Sequence, residues 1–138
     1  MKHRIHGRKL NRSPAHRIAL RRNLARSLFL TFDGKKHIIT TREKAKFVQP
    51  FAEKLITLAK EKTLHNYRRA ISLLRDEDAV HTLFEEIGPA YRDRPGGYTR
   101  VVRLQRYRLG DRASQVILGF VLDQEAPQEA QVVEAEAE

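Results

Sequence analysis

Hydrophobic residues recur along this chain at two different periods, and the change from one to the other marks out the elements. Leu20, Leu24 and Leu28 follow helical spacing. With Ser13 as N-cap and Pro14 at the first helical position, they predict a helix from Pro14 to Phe29. The Asp33-Gly34 pair makes Phe32 to Lys36 a turn, and His37 to Thr40 suits a short strand. Thr40 and Glu43 have capping-box spacing and open a second helix with Val48, Phe51, Ala52, Leu55, Ile56 and Ala59 on its core face. Pro50 should kink or split that helix. Thr63 caps a third helix, with Leu64, Tyr67, Ile71 and Leu74 inward. Acids at 76–78 favour the start of a fourth, built on Ala79, Val80, Leu83, Phe84 and Ile87 and ended by Gly88-Pro89. After a loop over 88–98, Tyr98 to Tyr107 and Val116 to Leu122 read as strands joined by a turn at Leu109 to Ser114. Helix, strand, three helices and two strands predict an α+β domain, a small three-stranded sheet packed against helices.

Charge changes this picture at both ends. The first thirty residues are dense in Lys, Arg and His and contain no acid. Residues 1–12 lack apolar periodicity and are expected to be a basic arm, extended and disordered in the free protein, with Gly7 adding flexibility. Residues 13–122 form the single domain. Residues 123–138 carry six acids and no base and are expected to be a disordered tail. The formal charge of the 138-residue chain is +10, but residues 1–122 set 27 Lys and Arg against 11 acids, a net +16. Like charges at this density repel, and a polyanion removes the penalty while releasing its own counterions.

Several classes of function drop out on composition. No helix combines a basic face with a large leucine or aromatic face, which argues against a membrane surface, and no apolar run has the length of a signal or membrane segment. Cysteine is absent, so neither a disulfide framework nor a zinc knuckle is available. Two blander accounts of the basic start remain: a solvated basic face, and a cleaved mitochondrial presequence, against which its low serine content stands.

On the nucleic-acid reading, Lys2, Arg4, Arg8, Lys9, Arg12, Arg17, Arg21, Arg22 and Arg26 neutralise phosphates, with Asn11, Lys35 and Lys36 beside them. His3, His6 and His16 stack on nucleotides or hydrogen-bond to them. Arg92, Arg94, Tyr98, Arg100, Arg108 and Arg112 form a second surface around Gly96-Gly97, with Tyr98 either stacking on an exposed base or, on the competing account, a core residue of the first hairpin strand. That glycine pair is either a plain turn or a place where backbone approaches a phosphate closely. It leads into a strand rather than a helix, so it is not a phosphate loop. The scattered histidines have no metal-ligand spacing. Glu85 and Glu86, adjacent on a helix, point apart and cannot form a carboxylate pair by themselves. No catalytic group, cofactor, metal or small-molecule substrate is expected. A metal-independent ribonuclease would need two acid–base groups near one phosphate, for example His65 or His81 in a basic cleft.

Four stretches carry a family likeness: GRKLNR followed by AHR near the start, AEKLITLAK from Ala52 to Lys60, LFEEIGPAYRDRPGGYTRVVRL from Leu83 to Leu104, and RLGD from Arg108 to Asp111. In collinear order over residues 1–122, the chain resembles ribosomal protein L-seventeen of the bacterial large subunit. Ala90 stands where that family has a basic residue, and the turn FDGKKH carries an extra acid. The resemblance implies a cytoplasmic, non-enzymatic structural protein bound to large-subunit (23S-type) ribosomal RNA near the polypeptide exit side. It also implies neighbouring ribosomal proteins, the thirty-second protein of the large subunit among them. It says nothing of the acidic tail. A free-standing RNA- or DNA-binding regulator is the alternative, and would be favoured by a recognition helix displayed on a symmetric dimer.

Overall fold

The computed structural model describes residue 3 and residues 7–122. Lys2, Arg4, His6 and the acidic tail lie outside the described residues. Helix α1 spans Pro14–Leu30, one residue beyond its expected end. Ser13 caps it, accepting from the His16 backbone N–H at 3.4 Å. The expected leucine stripe is only partly the buried one. Ala25, Leu28 and Phe29 are buried, while Leu20 and Leu24 are half-buried and Ile18 is exposed. The N-terminal half of α1 thus projects past the core.

A turn follows, closed by the Thr31 carbonyl accepting from Gly34 at 3.1 Å and from Lys36 at 2.8 Å. Strand β1, His37–Thr41, runs one residue longer than expected and passes directly into α2, Arg42–Ala59. The expected capping box does not form. Thr40 stays in the sheet opposite Val116, Thr41 is the N-cap without a side-chain bond, and Glu43 pairs with Arg8 instead. Pro50 does not split α2, which is continuous through it. The buried face is the expected one with Ala45 added, and Phe51 is half-buried.

Helix α3, Leu64–Leu74, is capped by Thr63, which accepts from the Asn66 N–H at 3.2 Å. Ala70 and Leu74 are buried and Tyr67 and Ile71 pack against the core. Leu64 is 64% exposed, contrary to expectation, because the first helical turn overhangs the core edge. Asp76 caps α4, Glu77–Thr82, through a 2.8 Å bond from the Ala79 N–H. The chain continues as a π-helical turn, Leu83–Ile87, and a short α5, Gly88–Ala90.

Gly88-Pro89 therefore does not end this helical run; it lies inside it. The glycine is there for proximity: a Cβ at Gly88 would come within 2.5 Å of the Ala59 carbonyl oxygen on α2. The extra residue of the π turn sits directly before that contact.

The expected hairpin is present, with β2 at Thr99–Tyr107 and β3 at Ser114–Phe120. β3 lies between β1 and β2, antiparallel to both. The register places Ile38, Leu118 and Val101 in one row facing the helices, and Ile39, Ile117 and Val102 in a row on the opposite face. Three polar bonds from α2 fix the start of β2. Glu53 Oε1 accepts from the Thr99 N–H at 3.3 Å and from its hydroxyl at 2.9 Å, while Gln49 donates to the Thr99 carbonyl at 3.2 Å.

Candidate nucleic-acid interface

The cations expected to hold RNA fall into two groups once their surroundings are known. On α1, Arg22 Nε donates to the Leu73 carbonyl at 2.8 Å, tying α1 to α3. Arg26 pairs with Asp76 at 2.6 Å, where Asp76 already caps α4. The Arg21 guanidinium lies 4.5 Å from the centroid of the Phe51 ring, on α2. Arg8 pairs with Glu43 at the start of α2, and Leu10 and Asn11 both take left-handed backbone conformations. Residues 8–11 thus turn back against the domain instead of extending from it. These arginines help hold helices together, and their fixed side chains leave the protein's positive field in place.

Between α1, α2 and α3 lies an open cleft of about 1330 Å³. Arg17, Arg21, Lys46, Lys54 and Arg69 line it together with Phe47, Phe51 and Leu73, and Glu53 and Glu61 temper its charge. Lys46, Lys54 and Arg69 are not among the residues expected to meet RNA, yet they line this cleft. Their signal was present as polar positions opposite the core faces of α2 and α3, which spacing alone cannot tell from ordinary solvated lysines and arginines. Neither His65 nor His81 lines the cleft.

The second surface is β2 and the turn after it. Arg100, Arg103, Arg106 and Arg112 are exposed, and none has an acidic partner among the described residues. Arg103 and Arg106 lie within the Arg92 to Arg112 region expected as a second surface, though not among the residues singled out there. Arg92 is exposed, while Arg94 is half-buried and donates to the Gly96 carbonyl at 3.2 Å. Gly97 has φ +63, a left-handed conformation that asks for glycine, and an added Cβ there would meet nothing within 4 Å. The plain-turn account of the glycine pair therefore has a conformational reason.

Tyr98 is a correction. It is 1% exposed, packs edge-on against Tyr91 with centroids 5.3 Å apart, and its hydroxyl accepts from Thr57 at 3.3 Å. Burial pushes that hydroxyl's pKa up, but hydrogen bonding and the Lys60 charge outweigh it and leave the pKa lowered. Lys60 Nζ sits 5.0 Å from the ring centroid. No face of the ring is free for a base, so Tyr98 is a core residue.

Lys9, His3 and His16 are exposed, Arg12 and Arg17 half-buried, and Asn11 exposed. Lys35 and Lys36 are exposed on the turn before β1, Lys36 over Phe32 at 5.8 Å. Glu85 and Glu86 do point apart. A hydrogen bond from Lys62 at 2.5 Å holds the Glu85 pKa down. Contact with the Asp33 carboxyl, followed by desolvation, raises that of Glu86.

The sequence that builds this helical layer and three-stranded sheet matches a known family. The family model described as ribosomal protein L17 matches residues 20–121. The chain belongs to the ribosomal protein L17 family. It is 47% identical to "Large ribosomal subunit protein bL17" of Desulfotalea psychrophila over 121 residues, 88% of this chain and 90% of that protein. It is 43% identical to the protein of that name from Trichlorobacter lovleyi, over 94% of this chain and all of that one. With the Maridesulfovibrio salexigens protein it shares 46% over 137 residues, 99% and 94% of the two chains. The L17 match includes the whole sheet and all of α2 to α5, so it covers the hairpin surface and the cleft apart from Ile18 and the residues before it.

Proposed function

We propose that the chain is a structural, non-enzymatic protein of the large ribosomal subunit that binds 23S-type ribosomal RNA in the cytoplasm. The observation that carries this, beside family membership, is the set of exposed arginines on β2 and its turn without acidic partners. A folded domain gains nothing from unpaired charges of one sign at this density, and phosphates neutralise them with release of counterions. The cleft beneath α1 supplies a second bank of charge. The arm and the first turn of α1 supply a third through Lys9, Arg12 and His16, joined by Lys2, Arg4 and His6. Together they neutralise phosphates that would otherwise repel as RNA helices pack, while the sheet and helices fix the spacing between them.

Neighbouring large-subunit proteins complete the assembly, the thirty-second among them. The acidic tail is dispensable for RNA binding, since its charge can only compete with the RNA. Sedimentation tests the whole reading. The tagged chain expressed in a bacterium should co-sediment with intact large subunits and stay with them after a wash at moderate salt. Recovery only in the ribosome-free fraction would refute it.

A further inference from the structure

The turn that joins β2 to β3 is built more firmly than a connection requires. Asp111 accepts three hydrogen bonds across it. Arg108 Nε donates to Oδ1 at 3.1 Å, a terminal guanidinium nitrogen of Arg108 pairs with Oδ2, and the Ala113 backbone N–H donates to Oδ1 at 3.1 Å. The backbone adds two more closures, Arg108 N–H to the Ala113 carbonyl at 3.0 Å and Arg112 N–H to the Arg108 carbonyl at 3.1 Å. Gly110 at φ +102 and Arg112 at φ +51 sit in left-handed conformations that this network holds. The charge of Arg108, first of all through its hydrogen bond, holds the Asp111 pKa at about 2, so the clasp is intact across neutral pH.

What the clasp displays is unusual for a tight turn. Leu109 is 98% exposed at the tip, and Tyr107 beside it is 66% exposed. Arg106 and Arg112 flank them. Asp111, the acid of this turn, is already neutralised by Arg108. At this exposure the Leu109 side chain contributes no burial to the free protein, while the clasp fixes the backbone that presents it.

We infer that the turn 108–113 is a preformed RNA-docking finger, with Leu109 as its leading contact and Asp111 as the positioning residue that holds it. The surrounding charge selects a polyanion as the occupant. Leu109 enters a recess of folded RNA and lies against sugar and base surface, while Arg106 and Arg112 take the phosphates at its sides. The finger rests on the RNA-binding reading above.

The sign of one substitution separates this from bulk electrostatics. Removing an acid should tighten binding to RNA if charge alone matters. If Asp111 orders the finger, Asp111→Ala should weaken it instead, by roughly three- to tenfold. The measurement is equilibrium binding of the full chain to deproteinised 23S-type ribosomal RNA at fixed salt, with thermal melting of each variant alongside. Leu109→Ser should weaken binding by a similar factor while leaving the salt slope and melting temperature unchanged. Asp111→Ala binding as well as the parent, or better, would overturn the inference. So would a Leu109→Ser protein that binds RNA normally but enters large subunits poorly, which would assign the tip to a protein neighbour. Failure of the parent chain to bind the RNA would instead overturn the RNA reading, and the finger with it.

Discussion

On α1, Arg22 donates to the Leu73 carbonyl, Arg26 pairs with Asp76 and Arg21 lies over Phe51; on β2 and its turn, Arg100, Arg103, Arg106 and Arg112 have no acidic partner among the described residues. The two regions read alike as strings of basic residues. One set joins helices to each other, and the other stands out from the sheet. The α1 cations still contribute to the field that attracts RNA, but their removal acts first on the fold. Charge density along a sequence therefore reports a polyanion partner without saying which cations meet it.

The largest effect that tests this division is in the core. Tyr98→Ala removes a buried ring and should destabilise the protein by roughly 3–5 kcal/mol, while Tyr98→Phe, which keeps the ring, costs about 1. Folded Tyr98→Phe should bind RNA like the parent. A selective loss of RNA affinity without loss of stability would return Tyr98 to the interface. Gly88→Ala comes next, at roughly 1–3 kcal/mol, since its methyl meets the Ala59 carbonyl at 2.5 Å and that oxygen belongs to backbone. Denaturant melts would read both.

Smaller effects sharpen the comparison itself. Arg22→Ala and Arg26→Ala should each cost about 1 kcal/mol, discounted for the half-exposed Arg26 pair, and lower the melting temperature by about 3–5 °C. A double variant with unchanged melting would show that these contacts hold nothing. On stability the Asp111 clasp gives the smallest effect, and its pH dependence falls in acid. Its folded pKa of about 2 lies below the unfolded carboxylate value, so its contribution is present above about pH 4 and lost as pH falls through about 2. Protection of the Arg112 and Ala113 amides, taken relative to the intrinsic exchange rate at each pH, should fall over that window, and no change there would show the clasp to be idle.

The order of elements was legible because each apolar period is long and the turn chemistry is local. Ser13, Thr63 and Asp76 all cap as their types suggest. What escaped was decided by contacts distant in sequence. Thr40 could not cap α2 because Val116 holds it in the sheet. Gly88 reads as a helix stop until α2 is seen against it, and Tyr98 reads equally as a stacking residue or a core residue until Tyr91, Tyr98 and Phe120 are seen packed together. The candidate interface was legible as charge and illegible as geometry, since Arg22 and Arg100 differ only in what lies beside them.

The most direct measurement is the salt dependence of binding to 23S-type ribosomal RNA for the parent and for the double variant Arg100→Ala, Arg112→Ala. Each lost phosphate contact should make the slope of log K against log salt shallower by somewhat under one unit, roughly 1.5 units for the pair. Melting temperature should stay within about 2 °C of the parent, as neither residue holds the fold. A slope equal to the parent's, in a protein as stable as the parent, would contradict the account.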